Sequence, residues 1–63
     1  MNKTQMKALV ADLLEADLTP RITQLGNNFQ VRVEKSDGAT LGQVNNLAST
    51  HTVTARILEV EFV

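Results

Sequence analysis

The sequence predicts a small α+β domain with the element order α-β-β-α-β, in which a three-stranded sheet carries two helices on one face. Three observations support this class: apolar residues at helical spacing near the start, strict alternation in the middle, and a β-branched run at the end. The 63 residues are expected to form a single domain, 1–63. A chain of this size buries only about 60% of its unfolded surface, so a compact core or association must stabilise it.

The first element is an amphipathic helix over residues 3–17. Its apolar residues recur at i, i+3, i+4, i+7 and i+8, which is one face of a helix: Met6, Leu9, Val10, Leu13 and Leu14. Asn2 and Gln5 are typical of a capping pair, with Thr4 as an alternative cap. The helix should end before Pro20, because proline disfavours the helical conformation of the residue that precedes it.

A β-hairpin is predicted next, with strands over 21–25 and 29–34. The second strand alternates strictly, with Phe29, Val31 and Val33 on one face. The loop between the strands contains Gly26, Asn27 and Asn28, which tolerate positive φ. A two-residue loop puts Ile22 on the face of Phe29 and Leu25 on the opposite face. A second helix opening at Thr19-Pro20 remains an alternative for 21–25.

A turn at Ser36-Asp37-Gly38 leads to a short helix over residues 41–49. Thr40 followed by Gln43 matches a capping box, which satisfies N–H groups at a helix start. The apolar residues after it fall at helical spacing: Leu41, Val44, Leu47 and Ala48.

The last element is predicted as one long strand over residues 53–62, which is β-branched and free of Gly and Pro. Its apolar phase switches at Ile57-Leu58, which indicates either a bulge or apolar side chains on both faces. Because the hairpin strands are neighbours, this C-terminal strand is expected at a sheet edge. An apolar edge strand tends to pair with another chain unless something covers it.

Composition narrows the classes of function. The 6 basic and 7 acidic residues give a net charge of −1, which does not favour a nucleic-acid binder. The chain has no cysteine, so it has no disulfide and no thiolate metal site. No run of residues resembles a secretory signal or a membrane span, so we expect a cytoplasmic protein that does not contact membranes.

No set of residues predicts catalysis, a cofactor or a metal. His51 is the only histidine and has no ligand-type residue near it in sequence, so we interpret it as a solvated connector residue. The glutamates Glu59 and Glu61 are interpreted as solubilising charges that also protect the edge. We therefore expect a protein that is not an enzyme.

The favoured hypothesis is a small interaction module that pairs with itself as a homodimer, or with another protein, through the C-terminal edge strand. The predicted interaction surface comprises Leu25, Ile57, Leu58, Val60 and Val63. The alternative is weak nucleic-acid binding through three arginines on the sheet face without helices: Arg21, Arg32 and Arg56. A dimer would join two such faces, so the two hypotheses are compatible.

Overall fold

Two helices and a four-stranded antiparallel sheet are formed by residues 1–34 and 38–63, the parts that this computed structural model describes. The elements are α1 (Lys3–Glu15), β1 (Pro20–Leu25), β2 (Asn28–Val33), α2 (Leu41–Thr50), β3 (Ala55–Arg56) and β4 (Glu61–Phe62). The strand order is β1-β2-β4-β3. The predicted α+β class is confirmed, but the prediction of three strands is wrong.

Helix α1 begins and ends with well-formed caps. The side chain of Asn2 accepts a hydrogen bond from the N–H of Gln5, and the Gln5 side chain accepts one from the N–H of Asn2. At the other end, Asp17 has φ of +62° and the N–H of Leu18 donates to the carbonyl of Leu13 at 3.0 Å. This is the Schellman arrangement, in which a left-handed residue satisfies the last helical carbonyls. The helix therefore ends at Glu15, slightly earlier than predicted.

Residues 20–25 form a strand, so the helical alternative for this segment is wrong. Strands β1 and β2 are joined by a two-residue loop, Gly26-Asn27, between the paired residues Leu25 and Asn28. Gly26 has φ of +63° and Asn27 does not have positive φ, which is the pattern of a type II′ turn. This loop fixes the register of the whole hairpin.

The predicted C-terminal strand is in fact a second hairpin. Residues 57–60 form a turn between β3 and β4, and the N–H of Val60 donates to the carbonyl of Ile57 at 3.3 Å. The turn reverses the chain, which explains the switch of apolar phase at Ile57-Leu58 without a bulge. The reversal also places β4 between β2 and β3, so the final residues of the chain lie inside the sheet and not at its edge.

Both helices pack on the same face of the sheet. Leu9 and Leu13 of α1 and Val44 of α2 share one buried cluster with the β2 and β4 side chains. Along the strands, the core residues alternate with residues whose side chains point to the opposite face of the sheet. The buried apolar residues of the cluster are Met6, Leu9, Leu13, Leu18, Val31, Val33, Val44, Ala48, Val60 and Phe62.

Helix α2 repeats the end structure of α1. The Thr40 side chain accepts a hydrogen bond from the N–H of Gln43, which is the N-cap half of the predicted capping box. After the helix, Thr52 has φ of +56° and the N–H of Val53 donates to the carbonyl of Ala48 at 2.9 Å, which makes a second Schellman arrangement. Of the turn predicted before this helix, Ser36 and Asp37 lie outside the described residues.

Neither described helix is long and apolar enough to cross a bilayer.

Candidate interaction surfaces

The sheet face opposite the helices carries a row of charged side chains. Arg21 of β1 lies across from Arg32 of β2, which in turn lies across from Glu61 of β4. Glu61 is also paired with Arg56 of β3. Because directly paired residues point to the same face of a sheet, the four form one continuous line across all strands, which we call the charged row. The register thus brings together the three arginines that the sequence suggested.

Glu61 is the buried centre of the charged row. Its side chain is 2% exposed, and its Oε2 lies 3.9 Å from Nη2 of Arg32. The interpretation of Glu61 as a solubilising charge at an edge is therefore wrong. A buried carboxylate is costly unless cations or hydrogen-bond donors compensate it, and the arginines on either side supply the compensating charge.

The arginines of this face are partly neutralised. Arg21 Nη2 lies 3.1 Å from Oε1 of Glu34, and Arg32 is paired with Glu61. Among the described residues, Arg56 makes no salt bridge within 4.0 Å. The face therefore carries charges of both signs and is not uniformly basic.

The apolar residues predicted as an interaction surface do not form one surface. Val60 is 5% exposed and belongs to the core, and Val63 is partly buried. Ile57 and Leu58 are exposed in the turn before β4, at 39% and 86%. Leu25 is 55% exposed but lies at the loop end of the first hairpin, whereas Val60 bonds to Val33 at the far end of β2.

The C-terminal edge is short. In the described part of the chain β3 is the edge strand of this hairpin, with two residues, and Thr54 exchanges two backbone hydrogen bonds with Val63. By the alternation of antiparallel pairs, Ala55 of β3 directs its N–H and C=O outward and Arg56 directs them toward β4. A very short edge strand offers little to an incoming strand.

The opposite edge, β1, is longer and carries unpaired backbone groups. The N–H and C=O of Phe29 bond to Met1 at 2.8 and 3.2 Å, so they do not bond to Gln24, the β1 partner of Phe29. Gln24 and, by alternation, Ile22 therefore direct their N–H and C=O away from β2. No hydrogen bond from another described residue reaches these outward groups. We call this outer side of β1 the free edge.

The side chains around the free edge are also open. Five of the six β1 residues are exposed, and the sixth, Pro20, is partly buried. Ile22 is 50% exposed although it lies on the helix-bearing face, in the row of Val31 and Phe62. Leu25, at 55%, lies on the opposite face. Apolar side chains are thus exposed on both faces beside unpaired backbone.

His51 is not a solvated connector residue. Its side chain is 11% exposed, and its Nε2 lies 2.5 Å from Oδ2 of Asp12 on α1. Gln5 donates from the same helix to the carbonyl of His51 at 3.4 Å and to that of Thr52 at 3.3 Å. These contacts join α1 to the end of α2. Within 1–34 and 38–63, no group of three or more acidic, histidine or cysteine residues could hold a metal.

The β3–β4 hairpin was missed because its turn has no recognisable turn residues. Ile57-Leu58-Glu59-Val60 contains no Gly, Pro, Asn or Asp, the types that usually mark turns. The switch of apolar phase at Ile57-Leu58 was the one signal of this turn in the sequence. Interpreted as a chain reversal, it yields two short strands, of which β4 lies inside the sheet and β3 at its edge.

Comparison with protein-family models, with curated proteins and with solved structures finds no significant match.

Proposed function

We propose that this chain is a small self-association module whose contact is the free edge of β1, where a second copy adds its own β1. The observation that carries the proposal is the pair of outward backbone groups on Ile22 and Gln24, on a six-residue strand of which five residues are exposed. Strand addition uses such groups directly, because main-chain hydrogen bonds give affinity without a deep pocket. No catalytic chemistry is required of the chain.

The charge of the free edge favours a second copy over a charged partner. The one cation on β1 is Arg21, and Glu34 balances it at 3.1 Å. Two copies therefore meet without strong repulsion, whereas a strongly acidic or basic partner finds no net charge to complement. The exposed Ile22 and Leu25 gain burial from a second copy on the two faces of the joined sheet.

A proline substitution tests the free edge without disturbing the sheet inside the molecule. Gln24→Pro removes one outward N–H, and proline is tolerated on an edge strand when its N–H would face solvent. Ala55→Pro is the matched control, because it removes an outward N–H from the other edge, on β3. Solution mass by light scattering gives the association of each variant, and circular dichroism checks that each one folds.

The expected result is that Gln24→Pro weakens self-association at least tenfold while Ala55→Pro associates like the parent chain. A parent chain that stays at 6.9 kDa at millimolar concentration contradicts the proposal. So does a folded Gln24→Pro variant that associates like the parent. If Ala55→Pro is instead the variant that dissociates, the C-terminal edge is the contact and the β1 proposal is wrong.

A second candidate function is weak nucleic-acid binding on the charged row. The observation that favours it is the register, which aligns Arg21, Arg32 and Arg56 on a face that no described helix covers. Glu61 and Glu34 oppose it, because they neutralise two of the three cations. Phosphate contacts release counterions, so any binding should fall steeply with salt.

Single-stranded and duplex DNA of mixed sequence, titrated at low salt, test this candidate. It requires binding that weakens with added salt and that Arg56→Gln reduces. A Lys7→Gln variant is the control, since it removes one exposed cation from α1, on the other side of the molecule. Absence of binding at low salt, or an equal effect of the two variants, removes the candidate.

A further inference from the structure

We infer that two copies join through β1 in one particular antiparallel register, centred on Thr23 facing Thr23 of the second copy. This inference rests on the proposed self-association through the free edge and specifies its geometry. In this register Ile22 pairs with Gln24 of the other chain. The combined sheet runs β3-β4-β2-β1 in one copy and continues β1-β2-β4-β3 in the other.

In this register, but not in its nearest competitor, every outward backbone group of Ile22 and Gln24 has a partner. With Thr23 at the centre, the outward N–H and C=O groups of Ile22 bond to those of Gln24 in the second copy, which gives about four hydrogen bonds with every outward group of both residues paired. If Ile22 is at the centre instead, Gln24 must pair with Pro20. Proline has no N–H, so the carbonyl of Gln24 loses its donor in each copy.

The side chains are compatible with this register. On the face opposite the helices, Thr23 lies across from Thr23 of the second copy. Directly opposite threonines stabilise antiparallel strands. Arg21 lies across from Leu25 of the second copy, so its aliphatic stem covers an apolar side chain that is 55% exposed in the single chain. No like charges lie directly opposite each other. On the helix-bearing face, Ile22 is covered by the side chains of the added strand.

Single cysteines report the register directly, because the chain has no cysteine of its own. In the inferred register the Cα atoms of Thr23 in the two copies lie about 4.5 Å apart, as in a non-hydrogen-bonded pair, within the range that a disulfide spans. The two Ile22 residues lie diagonally, about 8 Å apart, which is too far. Both positions are exposed, so Thr23→Cys and Ile22→Cys form a matched pair.

The experiment oxidises each variant in a glutathione buffer, at a concentration where light scattering has measured the mass of the parent chain, and follows the covalent dimer by mass spectrometry. We expect Thr23→Cys to cross-link at least tenfold faster than Ile22→Cys, with both variants folded by circular dichroism. Addition of the parent chain, which has no cysteine, should slow cross-linking, because it competes with the cysteine variant for the β1 contact.

The outcomes separate the register from the proposed function. Faster cross-linking of Ile22→Cys overturns the Thr23-centred register while self-association through β1 stands. Slow cross-linking of both variants, in a chain whose mass is that of a dimer, overturns the Thr23-centred register and leaves the Gln24→Pro variant to decide whether β1 is the contact. A parent chain that remains a monomer overturns the register and the self-association together.

Discussion

Arg32 of β2 and Glu61 of β4 form an ion pair in which the arginine is exposed and the glutamate is buried. The arginine side chain is 56% exposed and the glutamate side chain 2%, with 3.9 Å between Nη2 and Oε2. Arg56 lies on the other side of the same glutamate. The sheet therefore buries one negative charge between two cations, and the sign of that central charge matters for stability.

Glu61→Lys should destabilise the fold by about 3 kcal/mol or more, because it places a buried cation between two arginines. Like charges directly opposite in a sheet also repel. For a domain of 63 residues, a loss of this size removes most of the folding free energy. Urea denaturation followed by circular dichroism measures the change.

Glu59→Lys is the matched control for this prediction, since it makes the same change of charge at an exposed position in the neighbouring turn. Its effect should stay within about 0.5 kcal/mol. Equal effects of the two substitutions would show that Glu61 is not specially buried or paired.

Thr52→Gly should stabilise the fold. Thr52 follows α2 with φ of +56°, a conformation that costs a residue with a Cβ roughly 1–2 kcal/mol and glycine almost nothing. After the entropy cost of glycine, the expected gain is up to about 1 kcal/mol, or roughly 4–8 °C in Tm. Thr54→Gly, in extended backbone two residues later, should instead lower Tm. A lower Tm for Thr52→Gly would contradict the left-handed cap.

At position 60 a glycine substitution should destabilise the fold less than an alanine substitution, the reverse of the usual order. Val60 has φ of +51° in the turn before β4, yet its side chain is 5% exposed in the core. Both Val60→Ala and Val60→Gly lose that burial, but only glycine relieves the backbone. We expect Val60→Gly to be the more stable of the two by about 1 kcal/mol in urea denaturation. At Thr23, in extended backbone, the alanine variant should be the more stable.

His51 and Asp12 should be energetically coupled. Their side chains lie 2.5 Å apart and join α2 to α1. A double-mutant cycle with Asp12→Ala and His51→Ala, which both remove the contact, should give a coupling free energy of about 1 kcal/mol, the size of a partly buried hydrogen bond. As a control, a cycle that pairs Glu15→Ala with His51→Ala should give a coupling free energy near zero.

Local signals in the sequence were enough for both helices and for the second strand of the first hairpin, whereas they left residues 21–25 open between strand and helix. The Asn2-Gln5 capping pair and the spacing of Leu9 and Leu13 define α1, and Gly26 marks the first turn, because each of these signals acts within a few residues.

The second hairpin was not predictable in the same way. Its turn has Val60 in a conformation that β-branched residues rarely adopt, and the gain from burying Val60 and Phe62 in the core offsets that strain. A tertiary contact thus selects the turn against local preference. The position of β4 inside the sheet and the burial of Glu61 depend on it, so neither followed from local pattern.

The most direct test of the central claim is amide hydrogen exchange measured by NMR as a function of protein concentration. If a second copy adds to the free edge, the amides of Ile22 and Gln24 should exchange rapidly in dilute solution and become protected at high concentration. The amide of Ala55, outward on the other edge, should exchange at the same rate throughout. Exchange of Ile22 and Gln24 that does not change with concentration, or protection that develops at Ala55 instead, would contradict the claim that β1 is where the chain associates.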